Sequence, residues 1–365
     1  MNEENQGYRE IFETLRREVL EGKYDETQKL PSENQLARRF KVCRPTVSKA
    51  MNELSQAGLI ARRKGAPALL SRFARNLSGS LGVVVQGEWN DSDLFPKVCR
   101  RIMSLAEKRG WRVIRYSIKA TAKRDRVREI KEIAEDLVRE HVSGVFFQPL
   151  ECVRESFQCN QDVVVQLSTS GVQVVLLDYD ICAMPRRSGY DLVGVDNFAA
   201  GFSIGRHLVE QGAKRVAFLS QPFAADSVQC RKRGVAAALI EAGLKWRPWA
   251  FDMQSETLNR KFVKDFVGRH RPDAIVAWND EAALRLFGML AKLGIRVPDD
   301  IMLAGFDDIP NAASAPAPLT TMRQPIDVLA TMALHTLVTR VKSPDLPPRK
   351  TLVPCELLQR TSTMR

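Results

Sequence analysis

KLPSENQLARRFKVCRPTVSKAMNELSQAGLIARRKGAPALLS, residues 29–71, decides how the first part of this chain is read. Pro31 and Ser32 open a helix, and Ser32 with Gln35 three residues on is a capping box, in which each side chain satisfies a backbone N–H that the helix start leaves open. Leu36 and Phe40 give that short helix its buried stripe. A tight turn follows Lys41 and Val42. Val47, Ala50, Met51 and Leu54 then recur at helical spacing and predict a second helix. Two short helices a few residues apart make a helix-turn-helix, preceded here by an amphipathic helix that carries Ile11, Leu15 and Val19 and ends near Gly22. Beyond it, Leu59-Ile60 and Leu69-Leu70 flank a basic hairpin around Gly65, which reads as a wing.

Charge agrees with this pattern. The 365 residues carry a formal net charge of +12. Residues 28–75 contain eleven Lys or Arg against two acidic residues, so most of the excess sits in one segment. An uncancelled basic cluster of this kind suits a polyanion. The alternating charges of residues 123–140, by contrast, read as one solvated helical face. The expected contacts with double-stranded operator DNA are Ser32, Arg38, Arg44, Pro45, Thr46, Ser48, Lys49, Arg62, Arg63, Lys64 and Gly65. Arg44, at the start of the recognition helix, has the planar fork that pairs with O6 and N7 of guanine, whereas Lys49 suits a phosphate and Arg62, Arg63 and Lys64 supply affinity.

From Leu81 the rhythm changes. The runs LGVVVQ, WRVIRYSI, GVFFQP, VQVVLLD, LVGVD, RVAFLS, AIVAWND and IMLAGFDD alternate with amphipathic helical stretches. Such runs mark parallel strands covered on both faces, so the fold expected is α/β: a winged helix-turn-helix followed by doubly wound parallel sheets. In those sheets ligands bind beyond the carboxyl ends of the strands, which here carry Gln148, Asp178, Asn279, Asp280, Asp307 and Asp308. Carboxylates and amides suit vicinal hydroxyls, and Arg231 adds a bidentate donor. Asp and Asn after strands also serve as helix caps, a role that Asp196 and Asn197 suggest. Trp89, Phe95, Tyr179, Phe223 and Trp278 could stack on a sugar ring or fill the core.

Two resemblances sharpen the expectation. Leu30-Pro31-Ser32-Glu33, Leu36-Ala37, Phe40, Val42, Arg44, Thr46-Val47, Ala50, Leu54, Gly58-Leu59-Ile60 and Gly65 resemble the DNA-binding module of the GntR family. Cys43, Ser48 and the wing tip depart from that family's pattern, which leaves the operator sequence open. Residues 81–360 resemble the LacI/GalR effector domain, through VVLLDYD (174–180), VGVDNFAAGFSIGRHLVEQGAKRVAFLS (193–220), Arg231-x-x-Gly234, residues 274–308 and PLTTMRQP (318–325). This resemblance implies a periplasmic-binding-like fold of two lobes, with effector contacts at Asp178, Arg231, Asn279 and Asp307, and also at Gln148 and Gln324. The linker SRFARNLSGSL lacks a LacI-type hinge helix, so the arrangement is similar to arabinose-repressor-type regulators.

The division expected is a reader over 1–73, a linker over 74–80 and an effector domain over 81–365. Its first lobe takes 81–188 and 326–353, and its second takes 189–325 and 354–365. Together these imply a homodimer on a palindromic operator, altered by a sugar-like effector. A purine-like effector, or a domain that has lost its ligand, remains open. The absence of a signal peptide or a long apolar run points to a cytoplasmic protein with no membrane partner, and argues against a transport binding protein. The seven scattered cysteines fit a reducing compartment. No metal or cofactor is indicated. An α/β hydrolase is the enzyme alternative, because Gly201 to Gly205 read G-x-S-x-G. A nucleophile elbow needs its serine on the turn after a strand, however, and Ser203 is predicted well inside a helix, so no catalytic residue is assigned.

Overall fold

The computed structural model describes residues 3–20, 23–24, 29–57, 59–62, 66–70, 79–89, 94–120, 122–246, 252–254 and 258–364. Arg63, Lys64, Gly65 and residues 71–78, which include most of the predicted linker, lie outside the described residues.

The first unit is the expected winged helix. Helix α1 (Glu3–Leu20) lays Ile11, Leu15 and Val19 against the buried Val47, Ala50, Met51 and Leu54 of α3 (Arg44–Gln56). Between them α2 (Glu33–Phe40) starts at Ser32 with the capping box that the sequence specifies. Strands β1 (Ile60–Ala61) and β2 (Leu69–Leu70) pair antiparallel to form the base of the wing. Glu18 ties α1 to α2: it is nearly buried, and Arg39, Lys23 and Tyr24 all donate to it. The Arg39 hydrogen bond, first among these, draws the Glu18 carboxyl down to about 2.

Two parallel sheets follow, as the strand runs predict. The first contains β3 (Ser80–Gln86), β4 (Arg112–Ile118), β5 (Gly144–Phe147), β6 (Gln173–Leu177), β7 (Asp191–Val195) and β13 (Lys350–Val353), in the order β13-β7-β6-β5-β3-β4. The second contains β8 (Val216–Ser220), β9 (Asp252–Gln254), β10 (Ala274–Ala277), β11 (Met302–Phe306), β12 (Thr320–Arg323) and β14 (Glu356–Leu358), in the order β14-β12-β11-β10-β8-β9, with only β14 antiparallel. Within each sheet the first five strands run 2-1-3-4-5, the doubly wound order that opens a crevice at the carboxyl ends where the winding reverses.

The chain crosses between the lobes three times, at Asp196, at 324–325 and at 354–355. One expected boundary moves. Residues 191–195, assigned from sequence to the second lobe, pair with β6 and β13, so the first crossing comes after Val195 and not after residue 188. Strand β7 closes the first sheet between its near neighbour β6 and β13, which comes from far along the chain. Among the described residues no helix is long and apolar enough to cross a membrane.

Candidate functional site

On the reader, Ser32, Arg38, Arg44, Pro45 and Lys49 are exposed and Thr46 and Ser48 half-buried. The recognition helix begins at Arg44, three residues before the Val47 that opens its predicted stripe, with Pro45 in its first turn. Sequence reasoning missed the residue that organises this face. Glu33 receives Arg44 Nε at 2.9 Å and also the Arg62 guanidinium. The Arg44 hydrogen bond holds the Glu33 carboxyl below its ordinary range against the upward push of burial, with Ser48 and Arg62 adding to the effect. Arg62 also reaches Ser48 O and Asn52 Oδ1 of α3, so wing and recognition helix are joined. Lys49 lies over the Tyr8 ring at 3.9 Å, an attraction between cation and ring face that steers it along α1.

Between the lobes lies a cavity of about 820 Å³, within the range of small-molecule sites. Gln148, Asp178, Arg231, Asn279, Asp307 and Gln324, the six residues expected around an effector, all line it. Five lie beyond strand ends and only Arg231 comes from a helix, Asp226–Glu241. Phe95 and Trp278 also line it. Of the other aromatics, Tyr179 is buried and donates to Pro149 O, Trp89 lies near Arg115, and Phe223 is half-exposed beside a smaller cavity.

The side chains are not equally available. Arg231 is already gripped: Nε donates to Asn197 Oδ1 at 2.8 Å, one terminal nitrogen donates to Trp278 O at 2.6 Å, and the other lies 3.9 Å from Asp307 Oδ1. Its guanidinium also covers the Phe306 ring. Asp307 accepts from Gln324 at 2.7 Å. Asn279 caps helix Asp280–Lys292 by accepting from Ala282 N, so capping and lining coexist there. Asp196 is a cap as expected, but Asn197 is not: it is the first residue inside the helix, and its carbonyl oxygen accepts from Arg231.

Asp178 is the exception. Ser227 Oγ donates to its Oδ2 at 3.1 Å, while its Oδ1 is buried with no hydrogen-bond partner. Burial pushes this carboxyl up to about 6, with Glu151 and Asp307 adding and Arg231 and Ser227 opposing. Asp280 and Asp308 belong to the frame. Asp280, raised by burial to about 8, takes Thr321 Oγ1 and Ile309 N, and Asp308 is held by Arg323 and Arg360.

Sequence reasoning also missed Glu151, Gln221 and Ser227, which line the cavity. Gln221 directly follows the end of its strand and satisfies the strand-end rule as it stands, whereas Glu151 lies four residues past Phe147 and would have needed that rule extended. Ser227 gives no such signal, since it sits in the first turn of second-lobe helix Asp226–Glu241 and meets Asp178 of the first lobe only where the lobes face each other. The G-x-S-x-G of 201–205 has a packing origin. Ser203 is inside helix Asn197–Glu210, and a Cβ at Gly201 would sit 2.0 Å from Arg231 O of the neighbouring helix.

A winged helix-turn-helix carried by a two-lobed domain with a polar inter-lobe cleft defines a ligand-responsive transcription regulator. Residues 7–70 match the family described as "Bacterial regulatory proteins, gntR family", and residues 206–363 match "Periplasmic binding protein-like domain". The chain belongs to the bacterial transcription regulators that join these two modules. The arabinose metabolism transcriptional repressor of Geobacillus stearothermophilus is 26% identical over 336 residues, covering 89% of this chain and 88% of that protein. A Rhizobium rhizogenes protein named "Probable opine utilization operon repressor" is 32% identical over 179 residues, 46% of this chain and 90% of its own. Among solved structures, the transcriptional regulator CelR in complex with cellobiose shares the fold at a TM-score of 0.66 and 19% identity, covering 91% of this chain and all of that one.

Proposed function

We propose that this protein is a cytoplasmic repressor that binds a palindromic operator as a homodimer and changes its grip when a sugar-type effector closes the cleft. The reader occupies 1–73, the linker 74–80 and the effector domain 81–365, with the first lobe extended to Val195. The observation that carries the effector class is the cleft lining, in which amides and carboxylates from the strand ends of both lobes converge beside Phe95 and Trp278. Rings stacked on aromatics and hydroxyls paired with such groups are how polyols are held. The arabinose repressor supports the same class.

Arg44, Ser48 and Thr46 read base edges, while Lys49, Arg38, Arg62, Arg63 and Lys64 contact the backbone, with Ser32, Pro45 and Gly65 shaping the approach. Gln148, Asp178, Arg231, Asn279, Asp307 and Gln324 form the effector site. The protein acts by binding and not by catalysis. A ligand that prefers one lobe arrangement shifts the population of that arrangement, and the difference in its two affinities sets how far DNA binding moves.

A thermal-shift screen of the full chain against pentoses, hexoses, disaccharides and purines tests this reading. A ligand at a hundred times its dissociation constant stabilises the binding state by about 2.7 kcal/mol. A sugar that shifts the wild type and not Asp307→Ala is the expected result. A purine that does so instead, or no shift with any compound, contradicts the effector class.

A further inference from the structure

The charges in the cleft do not balance. Asp178, Glu151 and Asp307 line it together with one inner cation, Arg231, and the rim adds Glu281 and Arg285. No lysine is among the described lining residues. Arg231 leans toward Asp307 and is anchored by hydrogen bonds to Asn197 and Trp278. Arg126, near the Glu151 loop, does not line the cavity; it donates to the Glu151 carbonyl and to Gln86.

Two carboxylates are therefore left without a cation of their own. Among the described residues, the Glu151 carboxylate accepts a backbone N–H from Ala225 at 3.0 Å and meets the neutral Cys152 thiol, and Asp178 keeps a buried oxygen with no hydrogen-bond partner. Burial raises the Asp178 carboxyl first, and Glu151 is close enough to add to that rise against the opposing charge of Arg231. A buried acceptor without a donor costs free energy comparable to a lost hydrogen bond, and more for a charged group. A ligand that brings both a donor and a positive charge relieves that cost. A phosphate or uronate would add to the repulsion.

We propose that the effector is an amine-bearing polyol, whose protonated nitrogen is held by Asp178 and Glu151 while its hydroxyls take the surrounding amides. This rests on reading the cleft as the effector site for a sugar-type ligand. It narrows that class to aminated sugars and excludes phosphorylated and acidic ones.

The test is calorimetric titration of the full-length protein with matched pairs that differ in the charge on nitrogen, glucosamine with N-acetylglucosamine and galactosamine with N-acetylgalactosamine, with glucose 6-phosphate added. The expected result is that in at least one pair the amine binds at least about tenfold more tightly, the size of one charge-assisted hydrogen bond. Glu151→Gln, which can still accept from Ala225, should erase most of that preference with the melting temperature of the free protein preserved. If that variant melts early, Asp178→Asn provides the same charge removal and must erase the preference in its place. Neutral sugars binding as tightly as their amines, or glucose 6-phosphate binding best, would overturn this inference and leave a sugar sensor standing. Binding by none of the sugars, aminated or neutral, overturns both.

Discussion

Asp178 and Asp307 occupy the same point in the two lobes. Each follows the fourth strand of a 2-1-3-4-5 order, each adopts a left-handed backbone (φ 74° and 106°), and each donates its N–H to the strand beside it, to Val193 O and Met322 O. Non-glycine residues in such conformations persist where the surroundings over-determine them, and they gather at ligand sites. The two differ in what they meet. Asp307 has Gln324 and Arg231, whereas Asp178 has only Ser227.

That asymmetry sets a pH dependence. The folded-state Asp178 carboxyl is raised to about 6, above its ordinary value of about 4. The fold thus favours the protonated form, and this contribution to stability is fully present below about pH 4 and lost as pH rises through about 6. Asp178→Asn is neutral throughout and escapes the loss. Thermal melts without effector should show the variant gaining on the wild type between pH 5 and pH 8, with its effector affinity lowered at least about tenfold at pH 8. A melting difference that does not change with pH would show that Asp178 is not ionised against a cost.

Glu33 predicts a division of labour on the reader. Arg44→Ala should remove about 1 to 3 kcal/mol of discrimination at the base it reads, while Arg62→Ala weakens binding to all duplexes and lowers the salt slope. Glu33→Gln keeps the shape and removes the charge that Arg44 and Arg62 share, while Ser48 O and Asn52 still hold Arg62, so it should tighten non-specific binding and narrow the gap between operator and random DNA. Anisotropy titrations at two salt concentrations separate these outcomes. Equal effects of the Arg44 and Arg62 substitutions at every sequence would contradict the division.

The glycine motif makes a third prediction. Gly201→Ala places a methyl against Arg231 O and must push apart helices Asn197–Glu210 and Asp226–Glu241. Arg231 moves with its helix, so effector binding should fall while the separate winged helix still binds DNA. Ser203→Ala should change neither. Loss of function in the serine variant alone would reopen the enzymatic alternative.

These cases also mark what was legible beforehand. The capping box at Ser32, the stripes of α1 and α3 and the eight apolar runs are local signals, and local signals survive folding. The six cleft residues were legible because chain order and strand ends place them. The roles of Glu33, Glu151 and Asn197 were not, because each depends on a partner distant in sequence: Arg62 for Glu33, Ala225 for Glu151 and Arg231 for Asn197. Strands β9, β12, β13 and β14 escaped the reading for a related reason. They are short, and β12, β13 and β14 mix polar with apolar residues without a regular period and become strands through the neighbours that await them.

The central claim is that occupancy of the cleft controls the reader. Its most direct measurement is the affinity of the full-length protein for a duplex selected from random sequence, taken by anisotropy with and without a saturating cleft ligand found by thermal shift. The account predicts a change of about 5- to 150-fold in the wild type, typical of coupling between two sites, and none in Asp307→Ala, whose affinity without ligand stays at the wild-type level. An unchanged affinity in the wild type at full occupancy would contradict it.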